Sequence, residues 1–170
     1  TAEEFHSSVR LLAKALGATE QERGERLLQY YDRNLRRVQT ALAGLRESDR
    51  PRVYYASTTP LHTEGRNSMV DSWIRASGGR NVAAEGGFDG YGTVTIESVV
   101  AWDPDIVVAL GKAQRQEILS DPRWRSVKAV RAGHVVVNPR GLNSWGTRAM
   151  EGALQILWAA RIFHPEQIGR

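Results

Sequence analysis

Trp102-Asp103-Pro104-Asp105-Ile106-Val107-Val108-Ala109 decides the fold of this chain. Pro104 disfavours the α conformation at Asp103 and so ends whatever helix precedes it. Upstream, Thr95 is placed to cap that helix, with Val94 and Val99 at the spacing of a hydrophobic staple across its start. Downstream, Ile106 to Leu110 is an unbroken apolar run, as expected of a strand covered on both faces, and Gly111 closes it. Helix, tight turn, buried strand and terminal glycine are the parts of a doubly wound α/β sheet, whose ligands gather at the carboxyl edge. Asp103 and Asp105 are then turn residues rather than catalytic carboxylates.

The 170 residues suffice for one domain with a real core, and 41% hydrophobic content fits a globular chain. No apolar run reaches the length of a membrane span, and the chain opens on Thr1-Ala2-Glu3-Glu4, a capping box, rather than on a secretory signal. It therefore reads as a mature or trimmed segment. Zero cysteines exclude disulfides and thiolate metal sites. The net charge is +4, and 20 of the 23 basic residues are arginine. They are scattered beside Glu and Asp with no dense run, which predicts a solvated surface rather than a nucleic-acid patch.

Working outward along the chain, Phe5, Val9, Leu12 and Leu16 form one apolar stripe, with Gly17 as a left-handed cap. Thr19 to Glu22 is a second capping box. Leu28, Tyr31, Leu35, Val38, Leu42 and Leu45 then make a heptad-like seam, predicting a helix from about 20 to 46, on the order of 40 Å long. That seam suits either a coiled-coil dimer or a helix packed along its own domain. Val53 to Ala56 reads as a strand, Asn67 as the cap of a helix buried through Met69, Val70, Trp73 and Ile74, and Asn81 to Ala83 as a strand. Residues 84 to 93 read as a glycine-rich loop. His134 to Asn138 is a further strand, and the last helix packs through Met150, Leu154, Leu157, Trp158 and Ile162 before Pro165. Alternating strands and helices predict a three-layer α/β/α, Rossmann-like domain with a mostly parallel sheet.

There is no G-x-S-x-G elbow, P-loop, H-E-x-x-H or G-x-G-x-x-G, and Gly86-Gly87-Phe88-Asp89-Gly90 opens no phosphate-cradling helix. His6 and His164 are expected at the surface and His134 in a structural place. Only His62 falls in a strand-end loop. These patterns give little support to an enzyme. What remains are three strand-end loops: Thr58, His62 and Arg66; Lys112; and Arg140, Asn143, Trp145 and Arg148. At one sheet edge they would form a cationic surface with an aromatic platform, suited to anionic oxygens and a flat ligand.

The order of segments resembles the C-terminal half of the periplasmic binding proteins that deliver iron–siderophore, heme or cobalamin to ABC importers. The resemblance is carried by Pro51-Arg52-Val53-Tyr54-Tyr55 after a long helix, by Gly78-Gly79-Arg80-Asn81-Val82-Ala83, and by Thr95-Ile96-Glu97-Ser98-Val99-Val100 leading into Asp103-Pro104-Asp105-Ile106. It continues through Trp124-Arg125-Ser126-Val127 and Gly133-His134-Val135-Val136-Val137-Asn138-Pro139 to Trp158–Pro165, covering nearly the whole chain. It implies two lobes joined by a rigid helix: residues 1–17 ending the first half, 19–46 spanning the lobes, and 50–170 forming the C-terminal ligand-binding lobe, with the N-terminal lobe missing from this chain. It further implies an exported solute-binding component, periplasmic or a cell-surface lipoprotein, monomeric at full length, with no catalysis and no cofactor. The ligand would be an anionic metal chelate or oxyanion held between lobes, and Glu97 would meet the transmembrane permease. The other readings of the same residues are a small Rossmann-like enzyme or regulatory domain using the same edge, and a helix-mediated interaction module.

Overall fold

The computed structural model describes residues 2–146 and 151–169. In chain order its elements are α1 (Ala2–Leu16), α2 (Ala18–Ala41), β1 (Arg52–Ala56), β2 (His62–Glu64), α3 (Met69–Ala76), β3 (Arg80–Asn81), α4 (Val82–Glu85), β4 (Tyr91–Thr93), α5 (Ile96–Trp102), β5 (Ile106–Ala109), α6 (Lys112–Ser120), α7 (Lys128–Arg131), β6 (Val135–Val137), α8 (Gly152–Phe163) and α9 (Pro165–Ile168). Four strands pair in parallel in the order β3-β1-β5-β6, and β2 pairs antiparallel with β4 in a separate ribbon.

The side-chain period of a strand sorts the core into two halves. Val53, Tyr55, Ile106 and Val108 face one helical layer built on α2, α3, α8 and α9. Tyr54, Ala56, Val107 and Val135 face the other, with Val82, Val99, Ile118 and Trp124. The predicted three-layer α/β/α sandwich with a parallel sheet is the observed one.

The deciding stretch folds as expected in outline and differs in one torsion. Thr95 caps α5 by accepting the Ser98 amide at 3.2 Å. Asp103 then turns left-handed (φ 39°, ψ 66°) rather than extended. Its carboxylate accepts the Lys128 amide at 2.7 Å and that of Asp105 accepts the Arg52 amide at 2.8 Å, so both aspartates tie the turn to neighbouring segments. All four residues of β5 are buried.

α1 and α2 form an antiparallel hairpin. Phe5 and Tyr31 rings lie 5.4 Å apart near its base, and Arg10 reaches Glu25 at 2.8 Å further out. Asn34 donates to the Ala153 carbonyl at the head of α8, which ties the middle of α2 to that helix, and the part of α2 before it packs against α1. Three expectations change here. α2 ends at Ala41, short of 46, with the seam residues Leu28, Val38 and Leu42 buried in this chain's own core. Gly17 takes φ 108° with ψ 178°, an extended glycine conformation, and no side chain caps α2, so Thr19 lies inside the helix. On α1 the packed face is Phe5, Val9 and the buried Ala13, while Leu12 and Leu16 are exposed. The reason is close approach: a Cβ on Gly24 would meet that of Ala13 at 3.0 Å, and this contact rotates the leucines outward.

Similar local effects explain the other differences. Ser68, not Asn67, caps α3 by accepting the Asp71 amide at 3.0 Å, and Asn67 sits at φ 58° bonded to Asp89. Only Arg80 and Asn81 are strand, because the Asn81 carboxamide accepts the Ala83 amide and starts α4. The residues read as one loop contain part of α4 and strand β4. α8 packs through Ala153, Ile156, Ala159, Ala160 and Phe163, whose small members allow close approach, leaving Leu154, Leu157, Trp158 and Ile162 partly buried at the rim. Met150 and the Thr1 end of the first capping box lie outside the described residues. His164 is buried, its Nε2 3.1 Å from the Gly78 carbonyl, and burial pushes its pKa down. His6 is half-buried, 3.2 Å from Asp32.

Candidate functional site

The sheet places its crevice by topology. β1 continues through α3, which packs on the first face, to β3 on one side. β5 continues through α6, whose Ile118 packs on the second face, to β6 on the other side. The chain thus leaves the neighbouring strands β1 and β5 in opposite directions, and their carboxyl ends flank the opening where such sheets hold ligands. The Leu110 amide donates to the Ala56 carbonyl at 2.8 Å, and Gln114 donates to the Thr58 carbonyl at 3.0 Å, tying the two rims together. Thr58 and Lys112 stand at this crevice.

The loop after β6 adds the third wall, within about 10 Å at ordinary strand spacing. It is a tight structure in which Gly141 donates to the Asn143 carbonyl and Trp145 to that of Pro139. Glu151 accepts its own amide and that of Asn143, which holds its carboxyl below the usual range. Arg140 and Asn143 are exposed and Trp145 half-buried. His62 lies in β2, which folds back beside β1, with its ring 5.7 Å from that of the exposed Tyr91. Arg66 follows at the entry to α3, exposed, its Nε donating to the Ala84 carbonyl at 2.9 Å. Arg148 lies outside the described residues. Glu97 is exposed in the first turn of α5, which leaves the ribbon beside the same edge, where the Val94 amide meets the Leu61 carbonyl.

The charges of this edge are not neutralised locally. Among the described residues, Arg66, Lys112 and Arg140 have no carboxylate within ion-pair distance. No group of three or more His, Asp or Glu there is arranged to hold a metal ion. A ligand at the edge would meet point charges and hydrogen-bond donors rather than direct protein ligation of a bare metal.

Sequence reasoning missed a second feature below the edge. A cavity of about 90 Å³ lies where α2, α3 and α8 meet the loop after β6. Trp73 and Gln155 line it and are almost wholly buried, yet the Trp73 indole N–H and both ends of the Gln155 amide have no partner among the described residues. The indole N–H of Trp145, another lining residue, is likewise buried and unpaired, as is the nearby Asn138 carbonyl oxygen. Each such group ordinarily costs about 1–3 kcal/mol. The sequence held one signal, the lone amide in Ala153-Leu154-Gln155-Ile156-Leu157, an otherwise apolar helical run.

Comparison with known proteins gives a consistent picture. A family model described as "Periplasmic binding protein" matches residues 1–140. The molybdate-binding protein MolA of Haemophilus influenzae is 25% identical over 149 residues, covering 86% of this chain and 42% of that protein. A cobalamin-binding protein of Halobacterium salinarum is 32% identical over 126 residues, covering 69% of this chain and 33% of its own length. The crystal structure of a periplasmic solute binding protein from Veillonella parvula superposes with a TM-score of 0.82 at 26% identity, over 99% of this chain and 52% of that one. The chain thus spans less than half the length of these two curated relatives.

Proposed function

Because this chain belongs to the periplasmic binding protein family, we propose that it is the ligand-holding lobe of the solute-binding component of an ABC importer, taking an anionic metal chelate or metal oxyanion at the carboxyl edge of its sheet. The observation that carries this reading is the set of cations without a carboxylate partner among the described residues, Lys112 at the β1–β5 crevice, Arg140 in the loop after β6 with the half-buried Trp145, and Arg66 at the entry to α3. Guanidinium and ammonium groups left without carboxylates are ready to receive oxygen anions, and the tryptophan supplies a flat apolar wall. Thr58, His62 and Asn143 add polar contacts, with Arg148 next along the sequence from that loop.

The relatives support the ligand class from two directions, since one binds molybdate and others cobalamin. An iron–siderophore or heme complex shares with them a metal centre enclosed by polar or anionic groups. The α1–α2 hairpin would join this lobe to its counterpart, closing a cleft over the edge. The component would work in the periplasm or anchored at the cell surface. Exposed Glu97 at the head of α5 would face basic residues of the permease from the same edge.

Titration of the whole protein with molybdate, a ferric siderophore, heme and cobalamin tests the reading, with absorption spectra and metal analysis of the protein as purified to name the ligand. Replacing Lys112 and Arg140 together by alanine should weaken the preferred ligand by roughly a hundredfold, the loss of two charge-assisted hydrogen bonds. Unchanged affinity would remove the edge from the site. Glu97→Ala should lower uptake while leaving affinity intact, and normal uptake would refute docking through that residue.

A further inference from the structure

The cavity below the edge has a composition that the cationic crevice does not account for. Its wall is apolar where Phe5, Leu35 and Ile156 contribute, and among the described residues it carries no Arg, Lys, His, Asp or Glu. Among the described residues its polar equipment is the buried Gln155 amide, without a partner at either end, the buried, unpaired indole N–H groups of Trp73 and Trp145, and the hydroxyl-bearing side chains of Ser72 and Tyr31. Three features narrow the occupant. An ion would lie in apolar surroundings without a counter-charge. A hydrocarbon would leave Gln155 unpaired in both directions. A primary carboxamide is the complement, since its oxygen accepts from an amide or indole N–H while its own N–H donates to Gln155 Oε1. The volume of about 90 Å³ is several times the ~10–15 Å³ that a single water needs, room for an acetamide- or propionamide-sized group.

We propose that this cavity is a binding site for a small neutral carboxamide, paired with the Gln155 side-chain amide and receiving the Trp73 indole N–H. Met69 and Gly152, the first residues of α3 and α8, line the site on the side of the carboxyl edge, with Phe5 and Tyr31 of the α1–α2 hairpin opposite. It deepens the proposed function, and rests on it to this extent: a ligand seated on the edge reaches the cavity through an amide-bearing arm.

The test is an NMR titration of the nitrogen-15-labelled 170-residue chain with propionamide, and with propionate as the charged control of the same shape. The expected result is a saturable shift of the Trp73 indole resonance with propionamide alone. Gln155→Leu should weaken it by roughly tenfold or more, the equivalent of one buried hydrogen bond. Trp73→Phe, read through the Trp145 indole, should weaken it similarly and stands in if the leucine variant fails to fold. The edge reading is read separately, from the titration of the parent with molybdate, so failure of the edge reading and failure of the cavity reading are told apart. No saturable shift, an equal response to propionate, or an unaltered response in both variants would overturn the proposal and leave water as the occupant.

Discussion

At the amino end of the parallel sheet, Arg52 and Arg80 share the Glu85 carboxylate and Lys128 holds Asp105, while Arg46 and Arg50 pair with Asp49 and Glu47 just before it. At the carboxyl end, Arg66, Lys112 and Arg140 stand without such partners among the described residues, above a cavity whose amide and indole groups are equally unpaired. The contrast is one of polar satisfaction, not of composition, since both ends are rich in arginine. Where cations are matched within the chain, their work is to fix the positions of strand starts. Where the chain matches neither charges nor buried donors, those groups remain available to something outside it, which is why the two ends carry different expectations for substitution.

The largest effect is expected at the amino end. Asp105 accepts the Arg52 amide at 2.8 Å and the Lys128 ammonium at 2.5 Å, joining β1, β5 and α7. Asp105→Ala leaves the Arg52 amide unpaired and should destabilise the chain by about 2 kcal/mol, a fall in Tm of roughly 4–8 °C. Burial alone would raise the Asp105 pKa, but the bonds from Lys128 and Arg52 outweigh it and hold it below its ordinary 3.8. The folded form therefore binds the proton less readily than the unfolded chain, so this stability is complete above the ordinary value and is lost as pH falls through the folded one. His164, also near the amino end beside Gly78, is pushed down by burial from 6.5, so the unfolded chain takes up its proton first and stability begins to fall below about that pH. Denaturant titrations across pH should show both losses in the parent, and only the one starting at higher pH in Asp105→Ala. A pH-independent Asp105→Ala difference would refute the assignment.

The next effect has the opposite sign and belongs to the carboxyl end. Gln155→Leu removes a buried amide that has no partner and replaces it with apolar volume, so it should stabilise the unliganded chain by about 1 kcal/mol. A thermal melt reads it. Destabilisation instead would mean that the amide is already satisfied, and the contrast between the two ends would lose its buried half.

Legibility in the sequence followed the range of the interactions concerned. The β5 run, the Thr95 cap and the turn at Pro104 are local, and the two-face burial of the sheet follows from the alternation of Val53-Tyr54-Tyr55-Ala56. The chain order of the loops sufficed to bring Thr58, Lys112 and Arg140 to one edge. Helix faces were harder, because the rotation of α1 is set by Gly24 against Ala13 and that of α8 by its alanines, which apolar periodicity does not weigh. Local pairs such as Arg46 with Asp49 and Arg50 with Glu47 follow helical spacing, but long-range pairing was not legible: Arg52 meets Glu85 across 33 positions and Asp105 meets Lys128 across 23. Gln155 was hidden for the same reason, its burial being fixed by α2 and α3 rather than by its neighbours in α8.

The smallest effect on folding is the sharpest probe of the comparison. Lys112→Ala and Arg140→Ala remove exposed side chains with no ion pair among the described residues, so in low-salt buffer each should move Tm by less than about 2 °C. The same substitutions should act strongly on anion-linked stability. An oxyanion that binds the folded edge raises the stability of the parent by RT ln(1 + [L]/Kd). Molybdate added to the parent should therefore raise Tm with concentration, and added salt should shrink that rise through screening of the exposed charges. In the double variant the rise should vanish while the melt without molybdate stays put. Substituting the paired Arg52 supplies the converse control, because it lowers the melt in buffer and keeps the molybdate response. A parent melt unmoved by molybdate, chloride and phosphate alike would show that the unpaired cations are merely solvated, and the two ends of the sheet would then differ in structure without differing in function.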